Sequence, residues 1–508
     1  MDPTDAECLD RPRPQEDTIR VMSLALGGVD VLVLLASLVA VVVIGLRSSA
    51  RTSTLEQYLL GDRDLPWWAI LGSIVATETS TATVLSVPGV AYGPAGMTFL
   101  QIAFGYILGR TLVRRILLPL YFQGRLFSAY QVLERRFGAR AKQAASLLFL
   151  VARNSGDGLR LFLTALVLQQ VAGWSFGASI LVTGGITVFY TYFGGMRSVV
   201  WNDCLQFVIY MAGATASVFV IAASIPGGWD SLWSYAEAHH KLRILDLHPS
   251  WDQPNTLWAG LIGGTFITLG SHGTDQMLVQ RYLSARSERD AGRALIASGL
   301  VVLVQFALFL FIGVELACYY AGRPDVVFAR SDQVFAHFIV HVFPQNTGLV
   351  GLMLAAILAA AMSTLSSSLN SSASALVNDF YLPGRSVGPA RALRLTRHLT
   401  VLFGFVQIAV GYWALHLTSA VVDNALTIGG FSSGLLLGVF GLGVLTTRVG
   451  ERAALAGAAV GLVVLLTLQF IAPAMGYRRI AYPWLPLCGS VATFAAGWLA
   501  AQLSPRRA

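Results

Sequence analysis

Thirteen mostly apolar stretches recur along the chain, near 25–46, 66–92, 96–120, 143–172, 176–194, 198–225, 256–274, 293–321, 347–378, 398–418, 421–447, 453–474 and 481–503. Short polar or basic clusters separate them. A hydrocarbon core about 30 Å thick is crossed by about 20 residues at 1.5 Å each. The pattern therefore predicts about thirteen transmembrane helices in an all-α polytopic membrane protein. A secretory signal peptide is not expected, because the first run is too long and no small-residue cleavage site follows it.

Composition narrows the class further. Hydrophobic residues make up 55% of the 508, charged residues only 12%, and the mean hydropathy is +0.64. Soluble domains carry about 25% charged residues, so this chain cannot coat one aqueous globule. Disorder, coiled coil, collagen and a disulfide scaffold are excluded by the same figures. Cys8, Cys204, Cys318 and Cys488 are scattered without a CxxC pair, so neither a disulfide framework nor a zinc site is indicated. His239, His240 and His248 share one loop but have no carboxylate or cysteine at ligand spacing, and no metal is assigned there.

The net charge of +8 changes the picture only through its placement. With the N-terminus outside, 24 basic residues fall in cytoplasmic segments, 9 outside, and Arg153 and Arg160 within the membrane. The clusters Arg110–Lys142, Arg281–Arg293 and Arg385–Arg397 all lie inside, and the acidic start MDPTDAECLD lies outside. The positive-inside rule then puts the C-terminal SPRRA in the cytoplasm of a cell-membrane protein. No nucleic-acid partner is needed to explain the charge, and no obligate protein partner is expected.

Some residues do not belong in a lipid-facing helix. The second span carries Thr77, Glu78, Thr79, Ser80, Thr81 and Thr83 at mid-depth, followed by Pro88 and Gly89. A helix breaks at that depth only where a cavity or an ion satisfies the freed backbone. The ninth span places Ser363, Ser366, Ser367 and Asn370 on one face, with Thr364, Ser368 and Ser371 beside it. Hydroxyls facing a broken helix supply the oxygens that a hard cation needs. Asp203, near one end of the sixth span, is costly unless paired or liganding. In the fourth span Arg153, Asp157 and Arg160 stand at i, i+4 and i+7 and point one way. That stripe leaves one arginine over, available to Glu78 or to an anionic solute. GFSSG at 430–434 fits a nucleophile elbow, and Asn370-Ser371-Ser372 a glycosylation sequon, but both lie inside apolar spans and are discarded.

With these residues in view the chain resembles the sodium/solute symporter family. The resemblance rests on VPGVAYGPAG, YFQGRLFSAYQVLERRFG, YFGGMRSVVWNDCLQ, GTDQMLVQRYLSARS and AAAMSTLSSSLNSSASALVNDFY, together spanning roughly residues 55–380. It implies a five-plus-five inverted-repeat core. The repeats would be 66–225 and 256–447, joined by an external loop at 226–255. An external tail (1–24) and an extra helix with its loop (25–65) precede them, and two helices with a tail (448–508) follow. By motif position it implies a sodium site from Ala76, Thr79, Ala360, Ser363 and Thr364. A second sodium would use Asp203, Ser363, Ser366 and Ser367. The stretches that hold sugar hydroxyls in galactose carriers read Ala82 and Ala103 here, which argues against a galactose-type site.

The expected function is sodium-driven import of a small polar solute by alternating access, with one or two sodium ions per cycle. The expected solute contacts are Glu78, Ser80, Thr83, Gln101, Arg153, Arg160, Thr268, Ser271 and His272. Glu78 together with the surplus arginine favours a zwitterion or organic anion over a neutral sugar. Proton coupling is the alternative, since Glu78 and Asp203 can titrate. A membrane sensor is a second, for which no signalling module is expected after the last span. An embedded enzyme would need a His/Asp/Glu cluster at one membrane face, which the sequence does not display.

Overall fold

The structure, a computed structural model, describes residues 26–49, 52–124, 126–328, 330–417 and 421–503. The expected tails at 1–24 and 504–508 lie outside the described residues.

Among the described residues the bundle is built mainly from fourteen helices. They are α1 (Gly28–Ser49), α2 (Trp67–Glu78), α3 (Thr81–Tyr92), α4 (Gln101–Ile116), α5 (Ala139–Ala172), α6 (Phe176–Ser224) and α7 (Gly264–Thr274). The others are α8 (Gln276–Leu283), α9 (Glu288–Ala321), α10 (Leu349–Leu376), α11 (Pro389–Trp413), α12 (Val421–Leu445), α13 (Glu451–Leu466) and α14 (Leu485–Leu503). Among the described residues nine helices are long and apolar enough to cross a membrane, or ten if the bent pair α2–α3 is one span. α5 and α7 fall outside that set, the first through its central charges and the second through its length.

The bundle is organised around α10, whose apolar window is 89% buried. It packs against α6, α5 and α1, and its Ala/Ser surface lets them approach closely. Asp30, at the start of α1, caps α10: its carboxylate accepts from the backbone N–H groups of Asn346 (2.6 Å), Gly348 (2.9 Å) and Gly351 (3.2 Å). A negative charge at a helix N-terminus is favourable. α3 and α4 lie along α9, α7 along α4, and α12–α14 pack together at the periphery.

The fifth and sixth predicted spans are the two halves of α6, whose 49 residues would run about 73 Å at 1.5 Å per residue. That is too long for one crossing, and the helix reverses where the sequence reading ends one span and begins the next. The reversal is confined to Gly195, at φ 57° and ψ −152°, a region essentially reserved for glycine. A Cβ there would also lie 2.4 Å from the Tyr58 carbonyl oxygen. Gly195→Ala is therefore expected to cost about 1–3 kcal/mol through the backbone alone and more through the clash. A thermal melt in detergent checks this, and an unchanged midpoint would contradict it.

The structure differs from the sequence reading after the seventh span. Residues 276–283, left between two spans by the sequence reading, form α8 and are buried. Their polar groups are satisfied internally: Gln280 Nε2 donates to the Leu59 carbonyl (2.7 Å) and to Asn370 Oδ1 (2.8 Å), and Gln276 Oε1 accepts from Ala129 N–H (2.7 Å). Arg110, Lys142 and Arg281 are likewise not loop charges; all three are buried and paired, with Glu78, Glu134 and Asp203.

At the 226–255 loop, Lys241 Nζ donates to the carbonyls of Tyr92 (2.8 Å) and Gly93 (2.7 Å), closing the C-terminus of α3. Partial burial pulls its ammonium below the usual lysine range.

Candidate ion and solute sites

Two helix breaks build the site. α2 ends at Glu78, and Thr79 and Ser80 are extended before α3 begins, with a 62° bend between the halves. A capping box between Ser80 and Thr83 starts α3, which uses Thr83 locally. α7 ends at Thr274, and extended Asp275 caps α8 by accepting from Met277 N–H at 2.8 Å. Each expected repeat thus opens with a broken helix.

Beside the first break, Thr364 Oγ1 donates to the carbonyls of Thr77 (3.1 Å) and Ala360 (3.4 Å). The last turn of α2, which carries Ala76, therefore lies against the hydroxyl face of α10. Thr79 Oγ1 donates to the Val75 carbonyl and accepts from Gln305 Nε2, each at 2.8 Å. Ser363 turns the other way and donates to Asp203 Oδ1 at 2.6 Å.

Asp203 is fully buried. Its Oδ2 accepts from Ser73 Oγ (2.5 Å) and from Arg281 Nη2 (3.1 Å). The same guanidinium donates to Thr77 Oγ1 (2.5 Å), Ser73 Oγ (2.8 Å) and Ser367 Oγ. Ser366 and Ser367 also donate to the Ser363 carbonyl, at 3.1 and 2.7 Å. Two of the four residues expected to hold a second cation, Asp203 and Ser367, therefore meet Arg281, which the sequence reading left between spans.

Glu78 finds neither Arg153 nor Arg160. Its Oε2 pairs with Arg110 Nη2 at 2.5 Å and its Oε1 with His272 Nε2 at 2.5 Å. His272 Nδ1 in turn meets Tyr282 OH at 2.7 Å. The stripe on α5 is spent differently: Arg153 pairs with Asp275 (2.6 Å) and Asp157 (3.5 Å), and Arg160 with Asp157 (2.5 Å). The expected surplus cation is thus overturned, because Asp275 enters from the second break.

A cavity of about 190 Å³ lies between α5, α7 and α12. Arg153, Arg160, Asp275 and Ser271 line it, with Ser432, Ser433, Tyr106 and Tyr482. Of the expected solute contacts, the structure therefore brings Arg153, Arg160 and Ser271 together. The serines of GFSSG, discarded as a nucleophile elbow, face this cavity. Gln101 is instead tied to the 226–255 loop, through the carbonyl of Asn255 (3.1 Å) and the N–H of Asp246 (3.0 Å). Thr268 packs on α4 where Gly109 lacks a side chain. Ser80 lines a separate, much smaller space of about 10 Å³ with Thr81, Asp157, Arg160, Thr164 and Thr364.

A pair of broken helices facing a hydroxyl-lined helix, beside a polar cavity, defines a carrier of ions and small solutes. The profile of the sodium:solute symporter family matches residues 58–461. The human (Homo sapiens) sodium/iodide cotransporter is 31% identical over 441 residues, covering 86% of this chain and 68% of that one. The mouse (Mus musculus) sodium-coupled monocarboxylate transporter 2 is 28% identical over 443 residues, covering 85% and 71%. A Na⁺-coupled sialic acid symporter, solved substrate-bound and outward-open, superposes with a TM-score of 0.85 at 27% identity, covering 94% of this chain and 98% of that one.

The chain belongs to the sodium:solute symporter family. It is a multi-pass membrane protein and a sodium-coupled symporter of a small solute, not an enzyme.

Proposed function

We propose that this symporter carries a small organic anion or zwitterion in the 190 Å³ cavity, with Arg160 and Arg153 facing its anionic group. The observation that supports this reading is the pair of guanidiniums in one wall, opposite hydroxyls and tyrosines. Arginine presents a planar fork suited to carboxylates. Asp275 in the same wall offers a partner to an ammonium, which brings in zwitterions. The relatives named for iodide, monocarboxylate and sialic acid carriage are all anion carriers, in keeping with this chemistry.

A first sodium sits at the break of the second span, with Ala76, Thr79, Ala360, Ser363 and Thr364 as its ligands. A second sodium at Asp203, Ser363, Ser366 and Ser367 competes with Arg281 for the same oxygens. The broken helices α2–α3 and α7–α8 open the inverted repeats 66–225 and 256–447, with the N-terminus outside and the C-terminus in the cytoplasm.

Sodium-stimulated uptake into proteoliposomes tests the solute class with lactate, iodide, proline and galactose as probes. Uptake of lactate or proline with galactose refused is the expected result. Uptake of galactose alone, or of iodide alone, would overturn the reading.

A further inference from the structure

Asp157 stands between the two cavities. It is fully buried, yet only one of its oxygens is used: Oδ1 accepts from Arg160 Nη1 (2.5 Å) and Arg153 Nη1 (3.5 Å). Oδ2 has no hydrogen-bond partner among the described residues. A buried carboxylate oxygen left without a partner is costly and calls for an occupant. Asp157 lines the 10 Å³ space beside the helix break, together with the hydroxyl-bearing Ser80, Thr81, Thr164 and Thr364. That volume matches one water-sized species. Leu161, Ala361 and Leu365 complete the wall, so its polar side is the Asp157 carboxylate, the four hydroxyl-bearing residues and the Arg160 side chain. The hard oxygens among them suit an alkali cation. Arg160 lines both this space and the solute cavity, and its side chain is 30% exposed.

We propose that Asp157 is a sodium ligand that couples the ion to the solute. A sodium ion in the small space takes Oδ2, shares the carboxylate's charge and loosens its hold on Arg160. The guanidinium is then free to meet the solute's anionic group. Sodium and Arg160 thus compete for one carboxylate, and by linkage each weakens the other's grip on it. This rests on the anionic-solute reading above for its final step, whereas the competition itself needs no solute. It extends the sodium set at Thr364 to α5, the helix that also carries the solute-facing arginines.

The test is a mutant cycle on sodium affinity alone, read by equilibrium ²²Na⁺ binding to the purified full chain without solute. Arg160→Gln removes the competitor and is expected to tighten sodium binding by about tenfold, within the range usual for coupled sites. Asp157→Asn is expected to weaken it by about tenfold, and the double variant should match Asp157→Asn. A merely structural arginine would not tighten sodium binding when removed. Unchanged or weaker sodium binding in Arg160→Gln overturns the proposal, as does a double variant that keeps the tightening. Should Asp157→Asn not fold, the Arg160→Gln arm decides alone. If the cycle behaves as expected while lactate, iodide and proline are all refused, the anionic-solute reading falls and the competition stands.

Discussion

Replacing Glu78 by alanine is expected to destabilise the folded transporter by about 3–5 kcal/mol, the usual cost of removing one partner from a buried ion pair. Arg110 is fully buried, and among the described residues Glu78 is its one carboxylate partner. Its Nη1 already has no hydrogen-bond partner among the described residues, so little else there stands ready to take the charge. His272, also buried, loses its Nε2 partner in the same step. The second substitution Arg110→Met in that background should recover much of the loss, because a buried pair replaced by apolar side chains is often neutral. Thermal melts of the two single variants and the double variant give the coupling. Additive losses would mean that the pair does not interact as the geometry shows. If Glu78→Ala instead folds normally and only loses solute affinity, Glu78 touches the solute directly.

The contrast between Glu78 and Asp203 shows which parts of the site the sequence makes legible. Both carboxylates stand out at membrane depth, because an acid among apolar residues and hydroxyls is conspicuous in one dimension. Their partners do not. Arg110 lies 32 residues from Glu78 and Arg281 lies 78 from Asp203, each on a helix flank that reads as part of a basic loop. Only packing decides whether such an arginine points to water or inward. The i, i+4, i+7 stripe on α5 was legible, since helical periodicity alone aligns Arg153, Asp157 and Arg160. What spacing could not supply was Asp275, because α8 is too polar to announce itself as a buried helix. The apolar spans, set by composition, needed no such knowledge, and the reversal at Gly195 falls in the short gap that the sequence reading leaves between two of them.

Arg160→Gln is expected to lower solute affinity by about 30-fold or more while leaving the protein folded. Losing one charged partner of a largely desolvated pair costs about 2 kcal/mol or more, which is about 30-fold in a binding constant. Folding should survive for a local reason: Asp157 keeps Arg153 at 3.5 Å, and Arg153 keeps Asp275 at 2.6 Å. Glutamine keeps a neutral hydrogen-bond donor on a shorter side chain, so the variant removes the charge together with the guanidinium's reach. Arg160→Lys should recover only part of it, because an ammonium lacks the planar fork. The same change at Arg153 is expected to be more disruptive, since two carboxylates on two elements lean on that one guanidinium. Uptake at varied solute concentration with sodium saturating separates the cases. A raised KM with kcat kept places Arg160 against the solute. An unchanged KM would move the solute away from this wall of the cavity, toward Ser432 and Ser433.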